Sequence, residues 1–128
     1  MTKSDLEKKK AIVRAFYETA LNQRDADAAL PYVGVGYRQH NPLIEDGYPG
    51  LRKYLAWIQE HFPKSHSEIL RVCGEGDYVF LHVHRVRTPG TRGDAIVDIF
   101  RLEDEKIVEH WDVIQPVPET GANNNTMF

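Results

Sequence analysis

Apolar side chains recur with helical spacing through the first half of the chain and alternate with polar ones through the second, with the change of period near His66. Leu6, Val13, Phe16, Tyr17, Ala20 and Leu21 fall largely on one stripe, and Ser4-Asp5-Leu6-Glu7 has capping-box spacing, which predicts an amphipathic helix over about residues 4–23. A short second helix should begin near Asp25 and carry Ala28, Ala29 and Leu30 until Pro31, Gly34 and Gly36 interrupt it. The third runs from about Pro49, a residue suited to a first helical turn, to Phe62, with Leu51, Tyr54, Leu55 and Ile58 on its stripe and Pro63 as its stop. Strand-like segments follow at about 66–73, 78–87, 94–102 and 106–114, and the short links between them imply an antiparallel meander. Three N-terminal helices followed by a meander predict an α+β fold in two layers, with the helices covering one face of the sheet.

A length of 128 residues fits one domain, 1–128, ending in a polar, turn-prone tail over about 117–128 that should stay free until Met127 and Phe128 find a surface. The 16 basic and 19 acidic residues are mixed along the chain and leave a net charge of -3, so no basic stripe favours nucleic acid or an anionic membrane as partner. No apolar run approaches the roughly 18 residues that a membrane span requires. Cys73 stands alone, cannot form an internal disulfide, and reads as a small space-filler beside Val72. Met1-Thr2-Lys3-Ser4-Asp5 leads into charge rather than the apolar core of a secretion signal, so the expected location is cytoplasmic.

Alternation along the strands narrows the search for chemistry, because every second side chain shares a face. Tyr78, Phe80, His82, His84 and Val86 point one way, as do Ile96, Asp98, Phe100 and Leu102 in the next strand and Val108, His110, Asp112 and Ile114 in the last. If the register aligns these sets, His82, His84, Asp98, His110 and Asp112 converge among apolar residues, a costly arrangement that packing alone does not explain. The other face, with Val79, Leu81, Val83, Ile99 and Trp111, would then be an apolar patch that a second copy covers, which predicts a homodimer. Glu109 and Arg101 belong to that opposite face as a cross-strand pair, and Asp46 and Asp77 read as turn residues beside Gly47 and Gly76.

Motif tests limit the chemistry further. Gly76 with His82 and His84 has the spacing of a cupin metal site, yet Thr88 and Pro89 stand where that pattern expects its glutamate. His82 and His84 with His110 or Asp98 remain an alternative ligand set for a divalent metal. The chain has no Gly-rich phosphate loop, serine nucleophile elbow or Cys-x-x-Cys.

The helices, the segment Gln39-His40-Asn41-Pro42, and the run from Val97-Asp98-Ile99-Phe100-Arg101 to Lys106-Ile107-Val108-Glu109-His110-Trp111-Asp112 resemble the SnoaL-like polyketide cyclases of the nuclear transport factor 2-like superfamily. The likeness is closest to a branch described as predicted aldol-condensation enzymes, which also ends in a His-Trp-Asp strand, a Gln-Pro-Val-Pro segment and an Asn-rich Thr-Met-Phe tail, here Gln115 to Pro118 and Asn123 to Phe128. The resemblance implies a cone-shaped α+β barrel with its pocket between helices and sheet, and an aldol ring closure that uses no cofactor. It also implies an acid/base aspartate at Asp112, while Asp98 stands where those cyclases carry a pocket histidine.

Proton abstraction next to a carbonyl needs a base near its operating pH and a donor for the enolate oxygen. Asp112 is the expected general acid/base, with His110 or His82 as orienting partner and Asp98, His84 and His40 as donors. Tyr37, Trp57, Phe80 and Phe100 are expected around a small hydrophobic carbonyl compound. Two other function classes remain at this stage, a non-catalytic ligand-binding or dimerisation module and a metal-dependent enzyme using His82, His84 and His110.

Overall fold

The computed structural model describes residues 4–128; Met1 to Lys3, part of the segment read for a leader, lie outside them. Helix α1 spans Asp5–Tyr17, starts where Ser4 Oγ accepts the Glu7 N–H at 3.2 Å, and runs on into a π turn, Glu18–Asn22. Helix α2, Ala26–Ala29, is capped by Asp25, whose carboxylate accepts the Ala28 N–H at 3.0 Å, and passes into a 3-10 turn, Leu30–Tyr32. Helix α3 covers Gly47–His61. These match the three expected helices, and none is long and apolar enough to cross a membrane among the described residues.

Strands β2 (His66–Glu75), β3 (Tyr78–Val86), β4 (Asp94–Glu103) and β5 (Lys106–Pro116) form the expected antiparallel meander. A further strand, β1 (Val33–Gln39), lies where the sequence pattern predicts only the end of a helix. It pairs parallel with β5, so the sheet is mixed rather than antiparallel, in the order β1-β5-β4-β3-β2. Two glycines explain the omission: Gly36 adopts φ +80°, and a side chain on Gly34 would reach within 2.8 Å of Val108, so β1 needs residues that weaken a strand pattern.

The register of β3 on β4 corrects the expected convergence. Leu81 pairs with Asp98 and His82 with Val97, so even-numbered residues of β3 share a face with odd-numbered residues of β4. Val79, Leu81 and Val83 therefore belong to the core, under Phe16, Tyr17, Leu55 and Ile58 of the helices, and cannot form the outer patch on which the dimer expectation was drawn. Phe80, His82 and His84 face outward with Val97, Ile99, Trp111 and Val113. The physical choice is simple: three branched aliphatics gain far more from burial than an aromatic and two imidazoles that tolerate partial solvation. Cys73 also faces outward, opposite Phe80, and is exposed rather than a filler.

The tail contributes to that outer face. The Phe128 ring stacks on His84 at 4.1 Å and on His82 at 5.8 Å between centroids, so the tail's last aromatic does find a surface.

Truncation distinguishes the two faces. Leu81→Ala, at a site 1% exposed, should lose about 2–5 kcal/mol of stability in urea unfolding, whereas His82→Ala should lose less than about 1 kcal/mol.

Candidate active site

An irregularity in β5 sets the site. The β4–β5 hairpin closes through Asp104 and Glu105, both at positive φ, and aligns Leu102 with Ile107, but Arg101 then aligns with Glu109. One extra residue, Val108, is thus taken up as a bulge. Beyond it Phe100 pairs with His110, Asp98 with Asp112 and Ile96 with Ile114, all on the core side. Without the bulge, Asp98 would stand opposite Trp111.

The end of β1 adds two amides. Gln39 is the register partner of His110, and the chain then turns through His40 and Asn41. Asp46 at the start of α3 holds this turn by accepting the Gln39 N–H at 2.8 Å, a bond that keeps its carboxyl below the usual aspartate range; this role exceeds the simple turn expected of it. Gln39 Oε1 accepts the Asn41 backbone N–H at 2.9 Å, and Asn41 Oδ1 accepts the Leu43 N–H at 2.8 Å. Backbone donors therefore fix both amide orientations.

From those orientations the protons follow. His110 Nδ1 lies 2.7 Å from Gln39 Oε1, an acceptor, so Nδ1 carries a hydrogen. His110 Nε2 lies 2.8 Å from Asp98 Oδ1, and that contact needs a second proton, on Nε2 or on the carboxyl. Tyr17 donates its hydroxyl to the other oxygen, Asp98 Oδ2, at 2.8 Å. Burial first, then the Asp98 charge, push the Tyr17 hydroxyl well above its ordinary pKa, so it remains a donor. Either placement of that proton satisfies the contact, and the pair is buried, with Asp98 3% exposed.

Asp112 stands beside this pair, with Oδ2 at 3.9 Å from His110 Nε2. Asn41 Nδ2 donates to both of its oxygens, at 3.0 and 2.9 Å. Its pKa is raised, chiefly because burial opposes the charge and secondarily by Asp98, against the Asn41 hydrogen bond and the positive charges of His110 and Arg85.

Tyr17, Gln39, Asp98, His110 and Asp112 line an inner cavity of about 40 Å³, together with Tyr37, Phe100, Phe16 and Leu51. That is room for water or one small group. Ile44, Tyr54 and Arg85 belong also to the wall of an outer cavity of about 420 Å³, bounded by Leu43, Trp57, Arg87 and Ile114. The outer volume is within the usual range for a small-molecule site.

Of the residues expected from sequence, Asp98, His110 and Asp112 converge, Tyr37 and Phe100 line the inner cavity, and Trp57 lines the outer one. His82 and His84 do not join them: His82 Nδ1 lies 2.6 Å from an Arg71 nitrogen and His84 Nε2 2.9 Å from the Arg92 carbonyl, on the far side of the sheet. Phe80 is on that side too. His40 is turned outward, stacked on Trp111 at 4.8 Å with Nε2 at 2.6 Å from Glu109, so it is not placed to serve an enolate in the cavity. Glu109 also accepts from Arg101 at 2.9 Å, the expected cross-strand pair, and its carboxyl is held below the usual range, first by the His40 bond.

The metal set of His82, His84 and His110 is therefore not assembled. Asp98, His110 and Asp112 do each offer a ligand atom within 4.8 Å of the others, but these are the atoms already engaged in the proton-sharing contacts. Tyr17, Gln39, Asn41, Arg85 and Arg87 were missed. Tyr17 was legible only as part of an apolar stripe, while Gln39 and Asn41 stood in the segment that carried the family resemblance.

The model of the SnoaL-like domain matches residues 13–110, ending two residues short of Asp112. A solved structure named as a candidate polyketide cyclase from Bacillus cereus is 20% identical over 84% of this chain and 74% of that one, with a TM-score of 0.74. One named as a candidate ketosteroid isomerase from Kribbella flavida is 20% identical over 94% and 87%, with a TM-score of 0.72. One named as a candidate SnoaL-like polyketide cyclase from a Jannaschia species is 18% identical over 89% and 90%, with a TM-score of 0.72. At these identities they establish the fold. Among curated proteins none matches the sequence.

Because folding raises the Asp112 pKa above its unfolded value of about 3.8, this group's favourable contribution is present below that value and lost as pH rises through the folded one. Selective carboxyl-carbon NMR should show Asp112 titrating above 3.8. In thermal melts, the Tm of Asp112→Asn relative to wild type should become more favourable as pH rises through that midpoint.

Proposed function

The chain belongs to the SnoaL-like domain family, and on that premise we propose that it is a small-molecule enzyme performing acid/base chemistry next to a carbonyl: aldol condensation, cyclisation or isomerisation. The observation that carries this reading is Asp112, a carboxylate whose charge is opposed by burial, 3.9 Å from an imidazole that Asp98 and Gln39 hold in place.

Asp112 in its ionised form removes a proton from the carbon next to a carbonyl. Its raised pKa brings it closer to the carbon acid it must deprotonate, which makes it a better base than an ordinary aspartate. The proton shared between His110 Nε2 and Asp98 is redirected to the developing enolate oxygen and returned to the pair in the next step. Asp98, tied to Tyr17, keeps that imidazole aimed. Asn41 holds the base without displacing its lone pairs from the cavity. Base and donors all come from the chain, so the proposed step needs no cofactor. The ligand is a small, largely apolar carbonyl compound whose body occupies the outer cavity while its reacting carbon meets the inner one.

Hydrogen–deuterium exchange at the carbon next to the carbonyl, followed by NMR over a panel of ketones and oxo acids, tests this directly. Wild type should accelerate exchange over buffer. Asp112→Asn should lower it by about 10²-fold or more while keeping stability within about 1 kcal/mol. Exchange unchanged by that substitution removes Asp112 from the mechanism, and no exchange across the panel favours a ligand-binding role.

We also propose that two copies pair through the outer sheet face, where Val97 and Val113 are 42% and 69% exposed and Phe128 stacks on His84. Light scattering should give twice the 14.7 kDa chain mass, and Val97→Lys with Val113→Lys should return it to one.

A further inference from the structure

Charge is distributed unevenly around the outer cavity. Its wall holds three cations, Lys53, Arg85 and Arg87, and one acid, Glu45. Lys53 is paired with Glu45 at 2.8 Å, and Arg85 donates through Nε and Nη2 to Asp94. Arg87 has no carboxylate partner among the described residues. Its guanidinium instead sits 5.2 Å from the Trp57 and Phe62 rings and 5.8 Å from that of Tyr54, with Nη2 donating to the Tyr54 hydroxyl at 2.7 Å. Nη1 is buried and has no hydrogen-bond partner at all.

Both facts point the same way. A half-buried guanidinium in an aromatic cage has lost much of its hydration, and an unsatisfied charged N–H there is costly until an acceptor arrives. The aromatic rings offer their faces to the cation but no lone pair, whereas an oxyanion would supply both charge and acceptor. Behind the wall that Ile44, Tyr54 and Arg85 share between the two cavities, the inner one holds Asp98 and Asp112, which repel an anion. The two adjoining cavities therefore differ in charge, with a free positive charge on the wall of the outer one and carboxylates on the wall of the inner one.

We propose that the substrate is a carbonyl compound bearing a carboxylate remote from its reacting carbon, and that Arg87 receives this carboxylate while the carbonyl end is directed to Asp112. This rests on the acid/base reading of the inner site and deepens it by naming the substrate class. The carboxylate meets the guanidinium in its aromatic cage and fixes which end of the ligand enters first. A neutral ester of the same length lacks that orientation.

The test is equilibrium binding to the Asp112→Asn protein, so that turnover does not enter. Levulinate and benzoylpropionate are compared with their methyl esters by calorimetry. The acids should bind about ten-fold or more tightly than the esters, a preference that Arg87→Met removes with the ester affinity little changed and Arg87→Lys largely retains. Thermal melts confirm that both variants fold. Equal or tighter binding of the esters, a preference that survives Arg87→Met, or no binding by either acid overturns the proposal. Acid binding that depends on Arg87 without any exchange by wild type would sink the catalytic reading and leave the anion site standing. Exchange of neutral ketones without acid binding would do the reverse.

Discussion

A single residue inserted in β5 governs what the cavity contains. Strand alternation is strict, so the inward side before Val108 is set by Ile107 and the inward side after it by His110. The bulge allows β5 to bury Ile107 at its start and still turn an imidazole and a carboxylate inward three and five residues later. It also aligns Asp98 with Asp112 across the pair, which concentrates three ionisable groups under helices α1 and α3. Such a cluster persists only because each member has partners: Tyr17 and His110 for Asp98, Gln39 for His110, and Asn41 for Asp112.

The order imposed by backbone groups is what fixes a proton on His110 Nδ1. Side-chain amides have two indistinguishable ends until something unambiguous meets one of them. Here the N–H groups of Asn41 and Leu43 do so, and the consequence travels from Gln39 to His110 and from His110 to Asp98. A turn of a few residues between β1 and α3, pinned by Asp46, thereby determines where a proton sits on the sheet. The outward group of His40, Glu109, Arg101 and Glu103 is a separate charged brace that stiffens the neighbouring strands without entering the cavity.

Much of this was readable from sequence, and the failures have a physical pattern. Helices and the meander were legible because their apolar periods are long and their stops are Pro and Gly. His110 and Asp112 were legible as a same-face pair from alternation within β5, but the two-residue hairpin alone would set Asp98 opposite Trp111, and only the bulge at Val108 brings it to their side. The partnership of β3 with β4 was not legible either, since the seven residues between them leave the register open to either parity. Only the comparative burial of Val79, Leu81 and Val83 against His82 and His84 decides it. Tyr17 and the guanidinium of Arg87 were hidden for another reason: a residue far away in sequence gives each its role, and local pattern carries no trace of that distance. The family match spans most of the chain and agrees with the architecture, while the chemistry of the cavity rests on side chains that the match does not settle.

The glycines of β1 have an effect beyond letting the strand lie against β5. An open sheet ends in a row of free N–H and C=O groups that any other extended chain could match, and a straight, apolar margin would invite stacking into fibrils. Gly36 at φ +80° and the interruption of pairing between Val33 and Arg38 break that row into unequal pieces, even though Val35 projects fully into solvent. The kink that obscured this strand in the sequence pattern thus also blunts the sheet's margin as a template for uncontrolled polymerisation.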